Sequence, residues 1–332
     1  MIVTALILAA GLGTRLAPLS VIRAKAALPV AGEAIIRHQV RWLAAAGVRH
    51  VIVNLHHLPA TVTAALGHGE DLGVTVRYSW EPQVLGSAGG PRQAFDLIDA
   101  ERLIVVNGDT LTDLDLPAVV AEHARAQPLV TMAATPAPRP GYNALLVSEA
   151  GSLTGVARAG QVPSSGATAQ YAVHFMGVQI VERRAFVDVP RGVPSETVKW
   201  LYPQLLAGDA ASVRVWRRAA AFHDVGTPAE YLRTAQTVAA QLGRPLDCGS
   251  GGHIDPSAEV LRSVLWDGVR VGAGASLTDC VLGDGVVVPP GLRLDHAAVV
   301  RRDSQPPGAP GLTHGDLLVV PFTTPPKGTS AP

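Results

Sequence analysis

The sequence predicts an α/β fold, with a Rossmann-like, mostly parallel sheet and flanking helices, followed by a short left-handed parallel β-helix. In the first half, short apolar runs alternate with amphipathic stretches, which is typical of βαβ units. After residue 249, aliphatic residues recur with a period of 17, which indicates a stacked repeat. Because 332 residues exceed one small domain, we expect domains at 1–243 and 249–302 and a loosely ordered, Pro-rich tail at 303–332.

Five short runs are predicted to be strands covered on both faces, because they are nearly continuous in apolar residues and most are rich in Val and Ile. These runs are Ile2–Leu8, Val51–Asn54, Val74–Tyr78, Leu103–Asn107 and Leu129–Ala134. In a parallel sheet the ligands sit at the carboxyl ends of the strands, so we expect the functional residues there.

Four stretches between these runs have helical patterns. Glu33–Ala46 places Ile36, Val40 and Leu43 on one stripe and is followed by Gly47, a typical helix end. The other three begin with proline, which suits a first helical turn. They are Pro59–Leu66, Pro91–Leu97 and Pro117–Ala126.

The repeat after residue 249 consists of three aliphatic series. Within each series the residues are 17 apart, and between series the spacing is close to six, the hexapeptide pattern of a parallel β-helix. The series are Ile254, Val271 and Val288; Val260, Leu277 and Leu294; and Leu265, Leu282 and Val299. About three coils are expected. From Gln305 the composition predicts a loose tail, with local docking of Leu317–Phe322 as an exception.

Composition excludes several classes of function. The 27 acidic and 27 basic residues cancel, so no broad field attracts nucleic acid or an anionic membrane. No apolar run reaches the roughly 20 residues that cross a bilayer. The two cysteines, Cys248 and Cys280, give neither a disulfide framework nor a thiolate zinc site. We expect a cytoplasmic protein that binds small molecules, with no nucleic acid or membrane partner.

A glycine-rich turn follows the first predicted strand. Gly11 and Gly13 let the backbone approach a phosphate closely, and Arg15 and Lys25 add positive charge. The turn lacks the G-K-[ST] ending of a P-loop, and Leu16 stands where a dinucleotide fingerprint has its third glycine. We therefore predict a phosphate-binding loop of another kind.

Six motifs carry a family resemblance, in family order over residues 1 to about 240. They are G-x-G-T-R-L at 11–16, L-P-V-A-G at 28–32, Glu81–Gly89, Asn107–Asp109, Phe175–Val178 and His223–Pro228. Together they resemble the sugar-1-phosphate nucleotidyltransferases, also called NDP-sugar pyrophosphorylases. The pattern is most similar to members like mannose-1-phosphate guanylyltransferase that carry a C-terminal hexapeptide-repeat β-helix.

The resemblance implies formation of an NDP-sugar and pyrophosphate from a nucleoside triphosphate and a sugar 1-phosphate. It assigns catalysis to Arg15, Lys25 and Asp109, and a Mg²⁺ ion to Asp109 and Asp224. It assigns sugar binding to Gly108, His174 and Gly177. The implied nucleotide-binding residues are Ala9, Ala10, Gly11, Gly13, Thr14, Arg15, Glu81, Gly86 and Ser87.

The loop after Glu81 is similar to that of guanylyl-transferring members, so GTP with mannose 1-phosphate or a heptose 1-phosphate is the first expectation. Three departures from the family pattern leave the sugar open. Ala24 replaces the proline that usually precedes the lysine, and His174 replaces a polar residue such as asparagine. No Glu-Lys-Pro segment occurs between Val156 and Val173, where Arg158 is the only cation. UTP or dTTP with glucose 1-phosphate is the main substrate alternative.

Other readings of the same residues compete with this one. Asp113 and Asp115 match the D-x-D of glycosyltransferases, although residues before Pro117 also suit a helix cap. A non-catalytic relative that binds a nucleotide sugar and regulates a partner is a further alternative. Asp109 has a structural reading as a bend after a strand, and Asp224 has one as a cap of a helix near Pro228. The β-helix is a possible surface for homo-oligomerisation.

Overall fold

The computed structural model describes residues 4–161, 170–246 and 249–322. It divides into two compact units. The first comprises Met1–Gly11 and Ile36–His223, and the second comprises Leu12–Ile35 and Asp224–Pro332. The predicted phosphate-binding loop, from Leu12 onward, thus belongs to the same unit as the C-terminal part of the chain. The domain boundaries at residues 243 and 302, which were inferred from the sequence, remain predictions.

The first unit is built on a seven-stranded sheet. Its strands are β1 (Thr4–Leu8), β2 (His50–Leu55), β3 (Thr75–Trp80), β4 (Arg102–Asn107), β5 (Val130–Ala134), β6 (Phe175–Glu182) and β7 (Val213–Arg217). Their order across the sheet is β7-β5-β6-β4-β1-β2-β3. Only β6 runs antiparallel to its neighbours β4 and β5 among these strands. The predicted mostly parallel sheet is confirmed, and each predicted strand corresponds to one of β1–β5, with Ile2 and Val3 outside the described residues.

Helices flank this sheet. They are α1 (Ile35–Ala45), α2 (Pro59–Leu66), α3 (Gly86–Ala94), α4 (Leu116–Ala126) and α5 (Tyr202–Gly208), and the second unit adds α6 (Pro228–Gln241). The predicted start of α3 at Pro91 is wrong, because the helix begins at Gly86 and Pro91 lies inside it. The N–H groups of Ala88 and Gly89 both donate to the Ser195 carbonyl, so a distant segment caps the first turn.

Smaller elements complete the first unit. An antiparallel sheet contains Ala144–Ser148, Leu153–Ala157 and Gln170–Val173, and a two-stranded sheet joins Thr110–Thr112 with Phe222–Asp224. Short 3₁₀ segments are Glu70–Leu72, Phe95–Leu97 and Arg183–Phe186, and Thr197–Leu201 is a π-helical turn.

An apolar core lies against the sheet and includes Leu6, Ile52 and Leu103. Phe95 and Phe186 meet edge to face with ring centroids 5.6 Å apart. Strands β1, β2, β4 and β5 are almost wholly buried, as their composition predicts. The prediction of two covered faces is wrong for β3, which lies at the edge of the sheet and exposes Thr75, Arg77 and Trp80. No helix in the described part of the chain is long and apolar enough to span a membrane.

The second unit contains the predicted repeat as three stacks of parallel strands. One stack is His253–Ile254, Arg270–Val271 and Val287–Val288; the next is Glu259–Leu261, Ser276–Thr278 and Arg293–Asp295; the third begins with Val264–Leu265, Val281–Leu282 and Ala297–Arg301. The register pairs every aliphatic residue with the one 17 positions later, for example Ile254 with Val271 and Val271 with Val288. The parallel β-helix is confirmed, and its left hand stays a prediction.

The expectation of a loose tail is wrong for Leu312–His314, which forms a strand. Strands Leu312–His314 and Leu317–Pro321 extend the third stack in antiparallel fashion, after a 3₁₀ turn at Arg302–Ser304. Leu317 and Leu318 are buried, because the last coil would otherwise leave the apolar edge of Ala297–Arg301 uncovered. The predicted docking of Leu317–Phe322 is thereby observed over Leu317–Pro321, and residues 323–332 lie outside the described residues.

The loop segment of the second unit is held by the β-helix and by α6. Arg23 donates to Asp284 at 2.9 and 2.6 Å and to Asp267 at 2.5 Å. Tyr231 of α6 donates its hydroxyl to the Pro29 carbonyl at 2.6 Å and accepts from Trp266 Nε1 at 3.0 Å. The β-helix therefore supports the predicted phosphate-binding loop directly.

Candidate active site

In the second unit, the loop after Leu12 turns at Gly13, whose φ of +63° lies in the left-handed region that favours glycine. A 3₁₀ helix, Thr14–Leu16, follows at once. It directs Leu16 into the core and leaves Thr14 and Arg15 exposed. The loop thus presents a hydroxyl and a guanidinium to solvent, as phosphate binding requires.

After a 3₁₀ helix at Leu19–Val21, Lys25 begins a third one, Lys25–Ala27, and faces Asp224. Its Nζ lies 3.8 Å from Asp224 Oδ1, and the two side chains are 18% and 16% exposed. Ala24, which replaces the expected proline, is buried. The structure therefore brings together Lys25 and Asp224, two of the residues that sequence predicts for the site.

Arg15 lies at the same motif as Asp224. A methyl group built on Gly226 would lie 3.3 Å from Arg15 Nη1 and 2.6 Å from Glu230 Oε2. The cap of α6 is Thr227, whose Oγ1 accepts from Glu230 N at 3.2 Å, so capping is not the role of Asp224. The His223–Pro228 motif consequently gathers Arg15, Lys25 and Asp224 within one unit.

In the first unit, the turn after β4 carries Gly108 and Asp109. Gly108 N donates to the Leu8 carbonyl at 2.9 Å. Gln39, a buried residue of α1, donates its Nε2 to the carbonyls of Asn107 and Thr110 at 2.7 and 2.8 Å. These bonds hold the turn at the carboxyl end of the strand, with Asp109 half-buried.

Glu81 belongs to a buried chain of hydrogen bonds in the first unit. Asn54 Oδ1 accepts from Ala9 N at 2.7 Å, and Asn54 Nδ2 donates to Glu81 Oε1 at 2.6 Å. Glu81 Oε2 accepts from Leu85 N at 2.8 Å. This chain connects Ala9, beside buried Ala10 and exposed Gly11, with the segment that begins α3.

Glu81 is fully buried, so its carboxylate contacts protein groups and not solvent. Burial raises the pKa of this carboxyl above its ordinary value, and the hydrogen bonds from Leu85 N and Asn54 oppose the shift. Through these hydrogen bonds, Glu81 positions the loop around residue 85.

Gly86 and Ser87 also contact protein groups. Ser87 Oγ donates to Glu196 Oε2 at 2.8 Å and accepts from Thr197 N at 2.9 Å. A Cβ at Gly86 would lie 2.8 Å from the Ser195 carbonyl, so the 195–197 segment packs directly on this glycine. Residues 195–197, which are distant in sequence, therefore pack against the predicted nucleotide-binding loop and form hydrogen bonds with it.

On the predicted sugar side, His174 is 7% exposed and precedes β6. Its ring lies 5.1 Å from Tyr142 and 5.2 Å from Phe222, measured between ring centroids. Burial lowers the pKa of His174, and nearby Arg139 lowers it further, while a backbone hydrogen bond with Asn143 acts in the opposite direction. His174 is thus a neutral imidazole at neutral pH.

The aspartates of the D-x-D sequence have structural partners. Asp115 caps α4 by accepting from Ala118 N at 3.1 Å, and Asp113 Oδ1 accepts from Ala221 N at 2.6 Å. The capping interpretation is confirmed for Asp115 and wrong for Asp113, whose partner Ala221 belongs to no helix. Both bonds occupy oxygens that a glycosyltransferase would offer to a metal ion.

Carboxylate oxygens suit a hard divalent cation. Asp109 is half-buried at the end of β4, and Asp224 is mostly buried beside Lys25. Donor chemistry of this kind fits Mg²⁺, which prefers one or two carboxylates together with substrate phosphates.

The family profile described as nucleotidyl transferase matches residues 4–241. This match covers more than half of the 332 residues. The chain belongs to the nucleotidyl transferase family.

Named relatives of this nucleotidyl transferase fall into more than one substrate class. Mannose-1-phosphate guanylyltransferase of Mycobacterium tuberculosis is 28% identical over 301 residues, which cover 90% of this chain and 79% of the relative. N-acetylmuramate alpha-1-phosphate uridylyltransferase of Neisseria meningitidis is 42% identical over 115 residues, which cover 34% of this chain and 50% of the relative.

Solved structures share the fold. HddC from Yersinia pseudotuberculosis has a TM-score of 0.61 and 20% identity, with 71% of this chain and 100% of that chain covered. The structure of HddC complexed with GMP-PN has a TM-score of 0.60 and 19% identity, with the same coverage.

Several residues that hold the site of this nucleotidyl transferase were not predicted from the sequence. Gln39 lies within the apolar stripe of α1, and a polar residue there was the signal for a buried hydrogen bond. Asn54 is the penultimate residue of β2, at the carboxyl end of the strand, where functional residues are expected. Arg139 lies in a Pro-rich loop and gave no signal of its own.

Proposed function

We propose that this nucleotidyl transferase joins a nucleoside triphosphate to a sugar 1-phosphate, forming an NDP-sugar and pyrophosphate. An oxygen of the sugar phosphate attacks the α-phosphorus, and the bond from that phosphorus to the bridging oxygen of the β-phosphate breaks. The observation that carries the proposal is the approach of Lys25 Nζ to 3.8 Å from Asp224, in a loop that also presents Arg15.

Both substrates are polyanions, so positive charge must be supplied where they meet. We assign Arg15 to the departing pyrophosphate, because its guanidinium is exposed on the 3₁₀ helix of the loop. We assign Lys25 to the α-phosphate and the sugar phosphate, since the nearby Asp224 carboxylate keeps its ammonium group oriented. The backbone N–H groups around Gly11 and Gly13 suit the remaining phosphate oxygens.

A divalent cation would neutralise charge on the phosphates when bound, and we propose Mg²⁺ for this role. Asp109 and Asp224 are the proposed ligands, because each offers carboxylate oxygens in a partly buried setting. The hydrogen bonds from Gln39 to the Asn107–Thr110 turn restrict the backbone that carries Asp109.

For the substrates, we propose GTP with mannose 1-phosphate first, or a heptose 1-phosphate. Relatives named mannose-1-phosphate guanylyltransferase cover most of the chain, and this supports the choice. Relatives named as uridylyltransferases align over shorter stretches, so UTP or dTTP with another sugar 1-phosphate is the second candidate. We further propose a cytoplasmic location and, through the β-helix, a homo-oligomer that sedimentation would reveal.

The test is a matrix of nucleoside triphosphates against sugar 1-phosphates, with Mg²⁺ present and pyrophosphate as the readout. We expect the highest rate with GTP and mannose 1-phosphate. A maximum with UTP or dTTP would replace this substrate assignment, and absence of pyrophosphate with every pair would refute catalysis.

Asp109→Asn tests the metal assignment. Removing a ligand charge should lower turnover by about 100-fold or more, while the melting temperature stays near that of the parent. The matched control is Asp99→Asn, an exposed aspartate of the same unit, which should keep full activity. An undiminished rate in Asp109→Asn would show that the metal assignment is wrong.

A further inference from the structure

Five side chains of the first unit form a basic and aromatic cluster, namely Arg139, Tyr142, His174, Phe222 and His223. The Arg139 guanidinium carbon lies 4.6 Å from the Tyr142 ring centroid and 5.7 Å from that of Phe222. The His174 ring packs between the same two aromatic rings. Segments far apart in sequence thus converge on one place.

Three polar atoms of this cluster are buried without a hydrogen-bond partner among the described residues. They are Arg139 Nη1, His174 Nδ1 and His223 Nε2. Such atoms are uncommon in folded proteins, and several of them in one cluster indicate a ligand that supplies the missing bonds. His174 is more than nine-tenths buried, so solvent does not compensate for its unpaired nitrogen.

The positive charge of the cluster also indicates a bound ligand. An arginine side chain carries a positive charge, and within the described ranges no carboxylate forms an ion pair with Arg139. Burial and Arg139 itself lower the pKa of His174, so Arg139 is the positive charge beside a neutral imidazole. Arg139 is half-buried, and the unpaired nitrogens beside it would suit an anionic group supplied by a ligand.

The cluster lies next to the turn that carries Gly108 and Asp109. A Cβ built on Gly177, three residues after His174, would lie 3.2 Å from Thr110 Cβ and 3.3 Å from Asn107 Cβ. On the other side, Thr112 Oγ1 donates to the Ala221 carbonyl at 2.7 Å, which anchors the segment leading to Phe222 and His223. The same turn therefore organises both halves of the cluster.

We propose that Arg139 is a specificity-determining residue that pairs with an anionic oxygen of the sugar substrate, while Tyr142 and Phe222 form the wall against the sugar ring. This inference rests on the proposed function and assigns the sugar end to the cluster. His174 offers Nδ1 to the same ligand. Arg158, the only cation between residues 156 and 173, is exposed, so Arg139 supplies the charge from a different segment.

The test compares Arg139→Gln and Arg139→Lys with Arg158→Gln as the matched control. We expect Arg139→Gln to raise KM for the sugar 1-phosphate by at least about tenfold and to leave KM for the nucleotide within about twofold. Arg139→Lys should recover part of the loss, because it keeps the charge without the fork of donors. Arg158→Gln should match the parent.

An unchanged KM for the sugar 1-phosphate, or an equal rise for both substrates, would overturn the proposal. Calorimetric binding of glucose 1-phosphate and glucuronic acid 1-phosphate to the parent and to Arg139→Gln requires no turnover, so it stays informative if no pyrophosphate forms. Equal weakening for both sugars places Arg139 at the 1-phosphate. Weakening for the acid alone places it at a charged ring substituent, and weakening for neither contradicts the inference.

Discussion

Gly177→Ala tests whether close packing at the end of the sheet holds the turn that carries Asp109. Gly177 lies in β6, where the register against β5 shifts between Phe175 and Gln179. Its φ of +71° is a left-handed value that alanine adopts only with strain. An added methyl group would overlap Thr110 Oγ1.

Two costs add in this variant. The left-handed backbone costs about 1–2 kcal/mol for alanine, and forcing a methyl into a packed site costs about 1–3 kcal/mol. Thr110 is 3% exposed, so its side chain has no open space into which to move. The sum of about 2–5 kcal/mol corresponds to a fall in melting temperature of about 5–15 °C for a unit of this size.

Gly192→Ala is the matched control, because its φ of +69° is nearly the same and a Cβ there meets nothing within 4 Å. It should show the backbone cost alone. Thermal unfolding followed by circular dichroism measures both variants, and pyrophosphate release reports on the turn. If Gly177→Ala melts within about 2 °C of Gly192→Ala, the packing argument is refuted.

Three further variants test other parts of the structure. Glu81→Ala removes the acceptor of two buried donors and should lower the free energy of unfolding in urea by about 2–5 kcal/mol, whereas exposed Glu70→Ala should change it by less than about 0.5 kcal/mol. Burial lowers the pKa of His123 below 6.5, so the unfolded chain binds a proton that the folded chain does not, and stability falls as the pH drops below that value. His123→Gln should flatten this fall in melting temperature, and an identical slope would contradict the assignment. Arg23→Met should destabilise the second unit by about 1 kcal/mol because its two aspartate partners are partly exposed, and a loss no larger than that of exposed Arg270→Met would argue against the bridge.

The sequence predicted the features that depend on local pattern. The 17-residue period of the aliphatic residues can be read from the sequence alone. The stacking that it predicts, of Val260 on Leu277 and of Leu277 on Leu294, is confirmed by the strand register. The strands of the parallel sheet are confirmed for the same reason, since runs such as Leu103–Val106 are apolar throughout.

Features that depend on distant partners were not predictable. The early start of α3 depends on the Ser195 carbonyl, which no local signal connects with Gly86. The inward direction of Glu81 depends on Asn54, a residue 27 positions away. The strand Leu312–His314 depends on its pairing with Leu317–Pro321, which itself pairs with Ala297–Arg301 of the assembled β-helix.

The candidate site shows the same division. The family resemblance implied that Lys25 and Asp224 belong to one site, and the structure brings these two side chains together. Arg139 had no motif, because its importance comes from burial beside Tyr142 and Phe222. A polar residue in a Pro-rich loop acquires that setting only through tertiary packing.

The most direct test of the central claim is the fate of labelled phosphate. The protein is incubated with mannose 1-phosphate, Mg²⁺ and GTP labelled at either the α- or the γ-phosphate. Transfer of the nucleotidyl group predicts that the α-label appears in the nucleotide sugar and the γ-label in pyrophosphate. Release of the γ-label as orthophosphate, or no transfer of the α-label with any nucleoside triphosphate, would contradict the account.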